Sequence, residues 1–201
     1  MAVISDALAD GVIDIIRDRI ASILLDELRN QASISSRPFL NISRIWKERE
    51  TPFNKSELDP IAINLQAGEI VYGDQYQTQR VKEITYYIDI YTCQKHSTEG
   101  YADRLAVEQG FDVVNAVQFI LDHPEYKALR IAPRIRNAKV SRVQRGEASL
   151  GDSGKGSIIR IEYTVTTHTN QSKTDPTTIE GNDTTVSIGT SNEGLFYQIN
   201  F

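Results

Sequence analysis

Between Arg80 and Tyr126 the sequence runs through a long alternating strand, a short polar break and a long amphipathic helix, and the rest of the chain must be arranged around that unit. Ile84, Tyr86, Ile88 and Ile90 fall on one side and Thr85, Tyr87, Asp89 and Tyr91 on the other, the period-two pattern of a strand with one packed and one wet face. After Gln94 to Gly100, apolar residues recur at Ala102, Leu105, Ala106, Val113, Val117, Ile120 and Leu121, separated by Asp103, Arg104, Glu108, Asp112, Asn115 and Gln118. That spacing predicts a helix with one buried stripe. Ser97, Thr98 and Glu99 offer a cap and an acid at the positive end of its dipole, and Pro124, after Asp122 and His123, marks its stop. A helix folding back on its strand makes a sheet-plus-helix layer, which needs further strands to complete the sheet.

The flanking segments supply them. From Ser5 to Asn30, Leu8, Val12, Ile15, Ile16, Ile20, Ile23, Leu24 and Leu28 oppose Asp10, Asp14, Asp18, Ser22 and Asp26. This predicts a first helix, capped by Ser5 or Asp6 and about 38 Å long at 1.5 Å per residue, which covers a sheet face and reaches toward a neighbour. Its polar face is acidic, the wrong sign for an anionic bilayer. Phe39 to Arg49 reads as a strand or bent ribbon whose phase slips at Ile45, Thr51 to Asp59 as a connection, and Ile61 to Gln66 as a strand closed by an Ala67-Gly68-Glu69 turn. Ile70 to Gln79 reads as a loop or irregular hairpin. Ala138 and Val140 mark a basic strand, and Glu147 to Ser157 a mobile, glycine-rich hairpin turn. Ile159, Ile161, Tyr163 and Val165 then form a strand antiparallel to the basic one. From Thr166 to Thr190 the chain is polar and poor in large apolar residues, yet Gly194 to Phe201 is apolar and strand-like.

The expected fold is α+β: an antiparallel or mixed sheet of about four to five strands flanked by two long helices, with a C-terminal extension. The expected division is an N-terminal helix over 1–36, a core domain over 37–167, and a polar tether with a terminal strand-like segment over 168–201.

Charge and motif content narrow the function classes. With 201 residues and a formal charge of −5, the chain supports one good core and lacks the net basic surface that wrapping nucleic acid usually needs. A lone Cys93 excludes an intramolecular disulfide and fits assembly in a reducing cytoplasm. The N-terminal stretch has no basic n-region and is broken by Asp6, Asp10 and Asp14, so it reads as neither a secretory signal nor a membrane span. His96, His123 and His168 lack metal-ligand spacing, no G-x-S-x-G elbow occurs, and Glu108 and Asp112 lie on a polar helix face. Ser153-Gly154-Lys155-Gly156 departs from the phosphate-loop spacing and runs into a strand. No enzyme, cofactor or metal site is marked. What does stand out is a run of cations without an acid, namely Lys127, Arg130, Arg134, Arg136, Lys139, Arg142 and Arg145. It suits a solvated edge, a contact with acidic helices of another subunit, or an acidic partner such as DNA. The apolar C-terminus suits either packing on its own domain or addition to another subunit's sheet edge.

The order of elements, with the strand VKEITYYIDIYTCQ, the break Gly100-Tyr101-Ala102, the helix ADRLAVEQGFDVVNAVQFILDHPEY and a following β-hairpin, resembles the tail terminator (tail completion) proteins of tailed bacteriophages, including the minor tail protein U group. The resemblance covers Pro38 to Thr167, and its most specific piece is the Tyr-rich strand feeding into a helix that ends in a P-x-Y step at Pro124 and Tyr126. It implies a non-enzymatic virion protein at the tail–neck junction: a hexameric ring that caps the tail tube and halts its polymerisation. Its partners would be further copies of itself, the tube protein, the neck or head-completion protein and, in a contractile tail, the sheath protein. DNA would pass through without sequence-specific binding. The long first helix and the residues after Thr167 go beyond a minimal family member. A closed ring needs two different, complementary surfaces on each subunit. Asp10, Asp14 and Asp18 against Arg130, Arg134, Arg136, Lys139 and Arg142 are one such pair, with Leu195, Phe196, Tyr197, Ile199 and Phe201 adding a strand across the seam. The competing readings are a neck or head-completion connector, which would bind the portal side, and a DNA-binding module using 127–145.

Overall fold

The alternating strand of the sequence is the middle of a five-stranded mixed sheet, and the apolar stripes of two helices cover one face of it. A computed structural model describes residues 11–51, 53, 57–58, 61–76, 79–93, 101–131, 135–150, 154–170, 187–191 and 194–198. In chain order the elements are α1 (Val12–Ile34), β1 (Trp46–Lys47), β2 (Ile61–Tyr76), β3 (Gln79–Thr92), α2 (Tyr101–Leu121), β4 (Ile135–Leu150) and β5 (Gly154–Asn170). The sheet order is β1-β2-β3-β5-β4, with β1 parallel to β2 and the pairs β2/β3 and β4/β5 antiparallel. The fold is α+β. By contacts the chain divides into two units, Met1–Thr169 and Asn170–Phe201; the second contains a separate antiparallel pair, β6 (Ser187–Ser191) and β7 (Gly194–Gln198).

Burial follows the two periodicities. Ile16, Ile20, Ile23, Leu24 and Leu28 of α1 and Ala106, Val113, Val114, Val117, Ile120 and Leu121 of α2 are buried. Apart from Ala106 they share one cluster with Ile61, Ile63 and Leu65 of β2, Ile84 to Ile90 at every second position of β3, and Ile159, Ile161, Tyr163 and Val165 of β5. Gly110 lets α2 come down onto the sheet: a Cβ there would stand 2.9 Å from Cδ1 of Ile159. Tyr86, fully buried in β3, donates from its hydroxyl to the carbonyl of Ile13 at 2.9 Å, which fixes α1 over the sheet.

Several expectations change. Helix α1 continues past Asn30 to Ile34 and ends where Ser35 bonds back to the Gln31 carbonyl and Ser36 turns into the left-handed region at φ 54°. It begins at Val12 and not at Ser5: Gly11, extended at φ −61° and ψ 128°, is the cap in place of the expected Ser5 or Asp6, which, like Ser97 to Glu99 before α2, lie outside the described residues. Of the expected strand Phe39 to Arg49 only Trp46–Lys47 pairs. Pro38 opens a single 3-10 turn through Leu40 instead, and Leu40 and Ile42 reach the core without a ladder.

The expected Ala67-Gly68-Glu69 turn is a bulge. β2 runs through it, with a register shift between Ala67 and Ile70 and another between Tyr72 and Gln75, so the expected loop at Ile70 to Gln79 is largely the far half of one long hairpin. Likewise most of the expected turn Glu147 to Ser157 is paired: Glu147 opposes Ser157 and Leu150 opposes Gly154. The polar stretch after Thr166 contains the end of β5 and all but one residue of β6.

Candidate interface surfaces

With both helices on one side, the alternate residues of the strands form an open face. Asn64 and Gln66 come from β2, Tyr87, Asp89 and Tyr91 from β3, and Arg160, Glu162 and Thr164 from β5, with Gln144, Arg142 and Lys139 of β4 opposite those last three. At its centre Arg160 grips Asp89 with two hydrogen bonds and lies over the Tyr87 ring, 4.6 Å from its centroid. The Asp89 hydrogen bond raises the Arg160 pKa against an opposing effect of burial. Burial, then the Asp89 charge, pushes the Tyr91 hydroxyl up. At one end Trp46 lies between the guanidinium groups of Arg44, at 3.5 Å, and Arg49, at 4.4 Å. Arg49 also stacks on Phe53 and holds Glu57 at 3.0 and 2.8 Å. Asn64 donates to the Arg49 carbonyl and accepts from its N–H, which ties this segment to β2. Sequence reading marked Lys139 and Arg142 as interface residues and Tyr87, Asp89 and Tyr91 as the wet side of a strand, but did not pair Asp89 with Arg160 or bring Arg44, Trp46, Arg49, Phe53 and Glu57 together. The available signal was an acid on the wet side of β3 and an arginine on the wet side of β5.

The expected basic surface is split. Arg136, Lys139, Arg142 and Arg145 are exposed along β4, an edge strand of the sheet. Arg130 lies instead in the turn after α2, in the left-handed region at φ 54°, paired with Glu125 and 5.0 Å from the Tyr126 ring centroid. Arg134 lies outside the described residues. The opposite edge of the sheet is covered around Asn64 to Ala67. There β1 covers Asn64 and Leu65, Glu48 donates its N–H to the Leu65 carbonyl at 3.0 Å, and the Glu48 carboxylate accepts from the N–H of Ala67 at 2.8 Å.

Asp14 and Asp18 of α1 are matched within the chain. Asp14 pairs with Arg17 at 2.9 Å, and Asp18 with Lys47 at 3.0 Å and Arg17 at 3.3 Å. The hydrogen bond from Lys47 holds the Asp18 carboxyl below its usual range. Asp10 lies outside the described residues. A groove of about 310 Å³ opens further along the helix pair, between Glu27, Asn30, Phe119, His123, Tyr126 and Arg130. Glu27 accepts from the Tyr126 hydroxyl and, at 3.2 Å, from Nδ2 of Asn30. The Tyr126 bond first of all lowers its pKa, and the same bond raises that of Tyr126. Phe119 is 61% exposed at the groove's rim, and Ile34 and Phe111 are exposed on the same helix pair.

His123 caps the 3-10 turn at Pro124–Tyr126 by accepting from the Glu125 N–H at 3.3 Å, and Cys93 is buried. Among the described residues no group of three or more His, Cys, Asp or Glu is placed to hold a metal ion. No described helix is long and apolar enough to cross a membrane. Leu195, Phe196 and Tyr197 lie in β7, paired with Thr190, Gly189 and Ile188, while Ile199 and Phe201 lie outside the described residues.

No family model and no curated protein matches the chain. Among solved structures it is similar to a chain from the virion of a native gene transfer agent particle, with a TM-score of 0.43 and 11% identity over 75% of this chain and 98% of that one.

Proposed function

We propose that this chain is a structural, non-enzymatic virion protein: a tail terminator that closes into a hexameric ring on the tail tube, stops its growth and presents the docking surface for the neck. The observation that carries this reading is the presence on one unit of an exposed cationic edge, β4, and, elsewhere, of a groove that holds the Glu27 carboxylate beside the exposed Phe119. Unlike surfaces of opposite charge are what a heterologous, closing contact requires. The strand and the helix that carry the resemblance are β3 and α2, at the centre of this fold, and the P-x-Y step at Pro124 and Tyr126 is a 3-10 turn after α2.

In this reading 37–167 forms the ring body, and 1–36 and 168–201 are additions that meet further partners, the tube protein on one side and the neck or head-completion protein on the other. A contractile tail would add the sheath protein. DNA passes through the lumen without sequence-specific binding, so Arg136, Lys139 and Arg142 belong at subunit or neck contacts and not on the lumen wall. Asp14 and Asp18, already matched by Arg17 and Lys47, contribute less to the ring contact than the groove around Glu27.

The test is native mass spectrometry of the purified protein at several salt concentrations, with negative-stain images of the protein alone and mixed with tail tubes. Sixfold rings seated on tube ends, with tube length no longer increasing, are the expected result. Rings or monomers that bind the portal side and ignore tubes would replace this reading with that of a connector. A salt-steep affinity for duplex DNA without tube binding would replace it with a DNA-binding module.

A further inference from the structure

The two edges of the sheet are finished differently. At β2 the edge is covered by β1 at Asn64 and Leu65 and by the Glu48 carboxylate on the Ala67 N–H, and two bulges interrupt the strand beyond. β4 is hydrogen-bonded to β5 on one side, and among the described residues no strand lies on its other side, although it runs for 16 residues. Val143 is 36% exposed midway along it. An edge of that length is a template for a further strand, and the cations Arg136, Lys139, Arg142 and Arg145 determine which one it takes. Cationic strands are repelled there, and a strand that carries no cation and belongs to an acidic segment is favoured.

The second unit carries that complement. From Asn170 to Phe201 the only cation is Lys173, set against Asp175, Glu180, Asp183 and Glu193. β4 has four cations and the single acid Glu147, so the two segments carry equal and opposite net charge. β6 and β7 form a two-stranded sheet of five residues a strand, which is marginal in water without a third strand or an apolar layer. Neither strand carries a charge; the acids lie in the sequence before β6 and at Glu193 between the strands, and β7, Gly194-Leu195-Phe196-Tyr197-Gln198, is the more apolar of the two.

We propose that the β6–β7 hairpin of one copy adds through β7 to the outer edge of β4 in a second copy, continuing that copy's sheet and covering Val143. The contact is heterologous, since hairpin and edge are different surfaces, and can therefore propagate from copy to copy. It rests on the ring reading for the number of copies, but not for the strand pairing itself.

Full-length protein is compared with three full-length variants. One reverses the edge (Lys139→Glu, Arg142→Glu, Arg145→Glu), one reverses the extension (Asp175→Lys, Glu180→Lys, Asp183→Lys), and one carries both sets. Sedimentation and hydrogen exchange are followed across a concentration series. The outward-facing amides of 136–146, those not bonded to β5, should become protected as the protein associates, each set of reversals alone should weaken association by about tenfold or more, and the doubly reversed chain should recover most of that loss. Reversed chains that associate like the native protein would overturn the proposal. So would a chain that stays monomeric at every concentration reached, or outward-facing amides of 136–146 already protected in the monomer, which would mean that the hairpin docks within its own chain. Association through β4 by a protein that ignores tube ends would sink the terminator reading alone. Normal rings on tubes from the edge-reversed chain would sink this inference alone.

Discussion

Asp89 and Arg160, from adjacent strands, meet on the sheet's open face through hydrogen bonds of 2.7 Å (Nε to Oδ1) and 2.8 Å (Nη2 to Oδ2), and their exposure is unequal: the Asp89 side chain is 2% exposed, that of Arg160 40%. The arginine acts as a lid on a carboxylate that has little access to water.

That inequality predicts unequal costs of truncation. Asp89→Ala leaves a guanidinium that can turn toward solvent, at about 1 kcal/mol. Arg160→Ala leaves a charge at a site built to exclude water, at about 3 kcal/mol. Urea unfolding of the two variants measures the difference, and an equal cost or the reverse order would refute the lid.

The Glu27–Tyr126 hydrogen bond should act over a defined pH window. Glu27 has its pKa lowered in the fold, mainly by Tyr126, so the stabilisation is present above its usual 4.5 and is lost as pH falls through the lower folded value. Tyr126 has its pKa raised, mainly by Glu27, so the stabilisation is present below its usual 10.0 and is lost as pH rises through the higher folded value. Tyr126→Phe should therefore destabilise by about 1 kcal/mol between those limits, with the difference from the native protein vanishing in acid. Thermal melts of both proteins from acid to neutral pH would show it; a difference that persists below Glu27's titration would count against the bond.

Gly68 is required by its neighbour across the sheet. A Cβ at this position would stand 2.4 Å from Cε2 and 2.7 Å from Cζ of Tyr87, with the Thr85 carbonyl at 3.0 Å. Gly68→Ala must push aside the ring on which Arg160 lies, so it should cost about 1–3 kcal/mol. Combining it with Tyr87→Ala should remove most of that cost; additive losses would show that the bulge backbone, and not the ring, sets the requirement.

Two buried tyrosines should respond oppositely to loss of their hydroxyls. Tyr86 donates to the Ile13 carbonyl, and Tyr86→Phe would leave that acceptor unpaired, at about 1–2 kcal/mol. The Tyr163 hydroxyl has no hydrogen-bond partner among the described residues, so Tyr163→Phe should be neutral or slightly stabilising. Denaturation midpoints of the pair decide it, and a destabilised Tyr163→Phe would reveal a partner for that hydroxyl.

How much of this was legible in the sequence depended on whether the cause was local. The stripes of α1 and α2 and the alternation at Ile84–Ile90 and Ile159–Val165 are periodicities of burial, and each became the element expected. Gly68-Glu69 read as a turn because a glycine beside polar residues suits a turn and a bulge equally; the Tyr87 ring, from another strand, decides between them. β1 is short because its position is set by Asn64 and Glu48 bonds to the backbone and not by strand propensity. The basic run looked like one surface, yet the turn after α2 separates Arg130 from the cations of β4. Asp89 was one polar letter among several, and its partner stands 71 residues further along the chain.

That separation bears on how the chain reaches its fold. β2 with β3 and β4 with β5 are hairpins between chain neighbours, which zip on the order of microseconds, whereas the β3/β5 seam has to bring two such hairpins together across α2. Until Arg160 arrives, Asp89 keeps water around β3. A seam closed one residue out of register would turn Asp89 or Arg160 toward the apolar layer, a penalty no neighbouring contact relieves. The buried carboxylate and its arginine thus act as a register check on the slowest pairing in the sheet, rejecting misaligned hairpins before the helices can lock them in place.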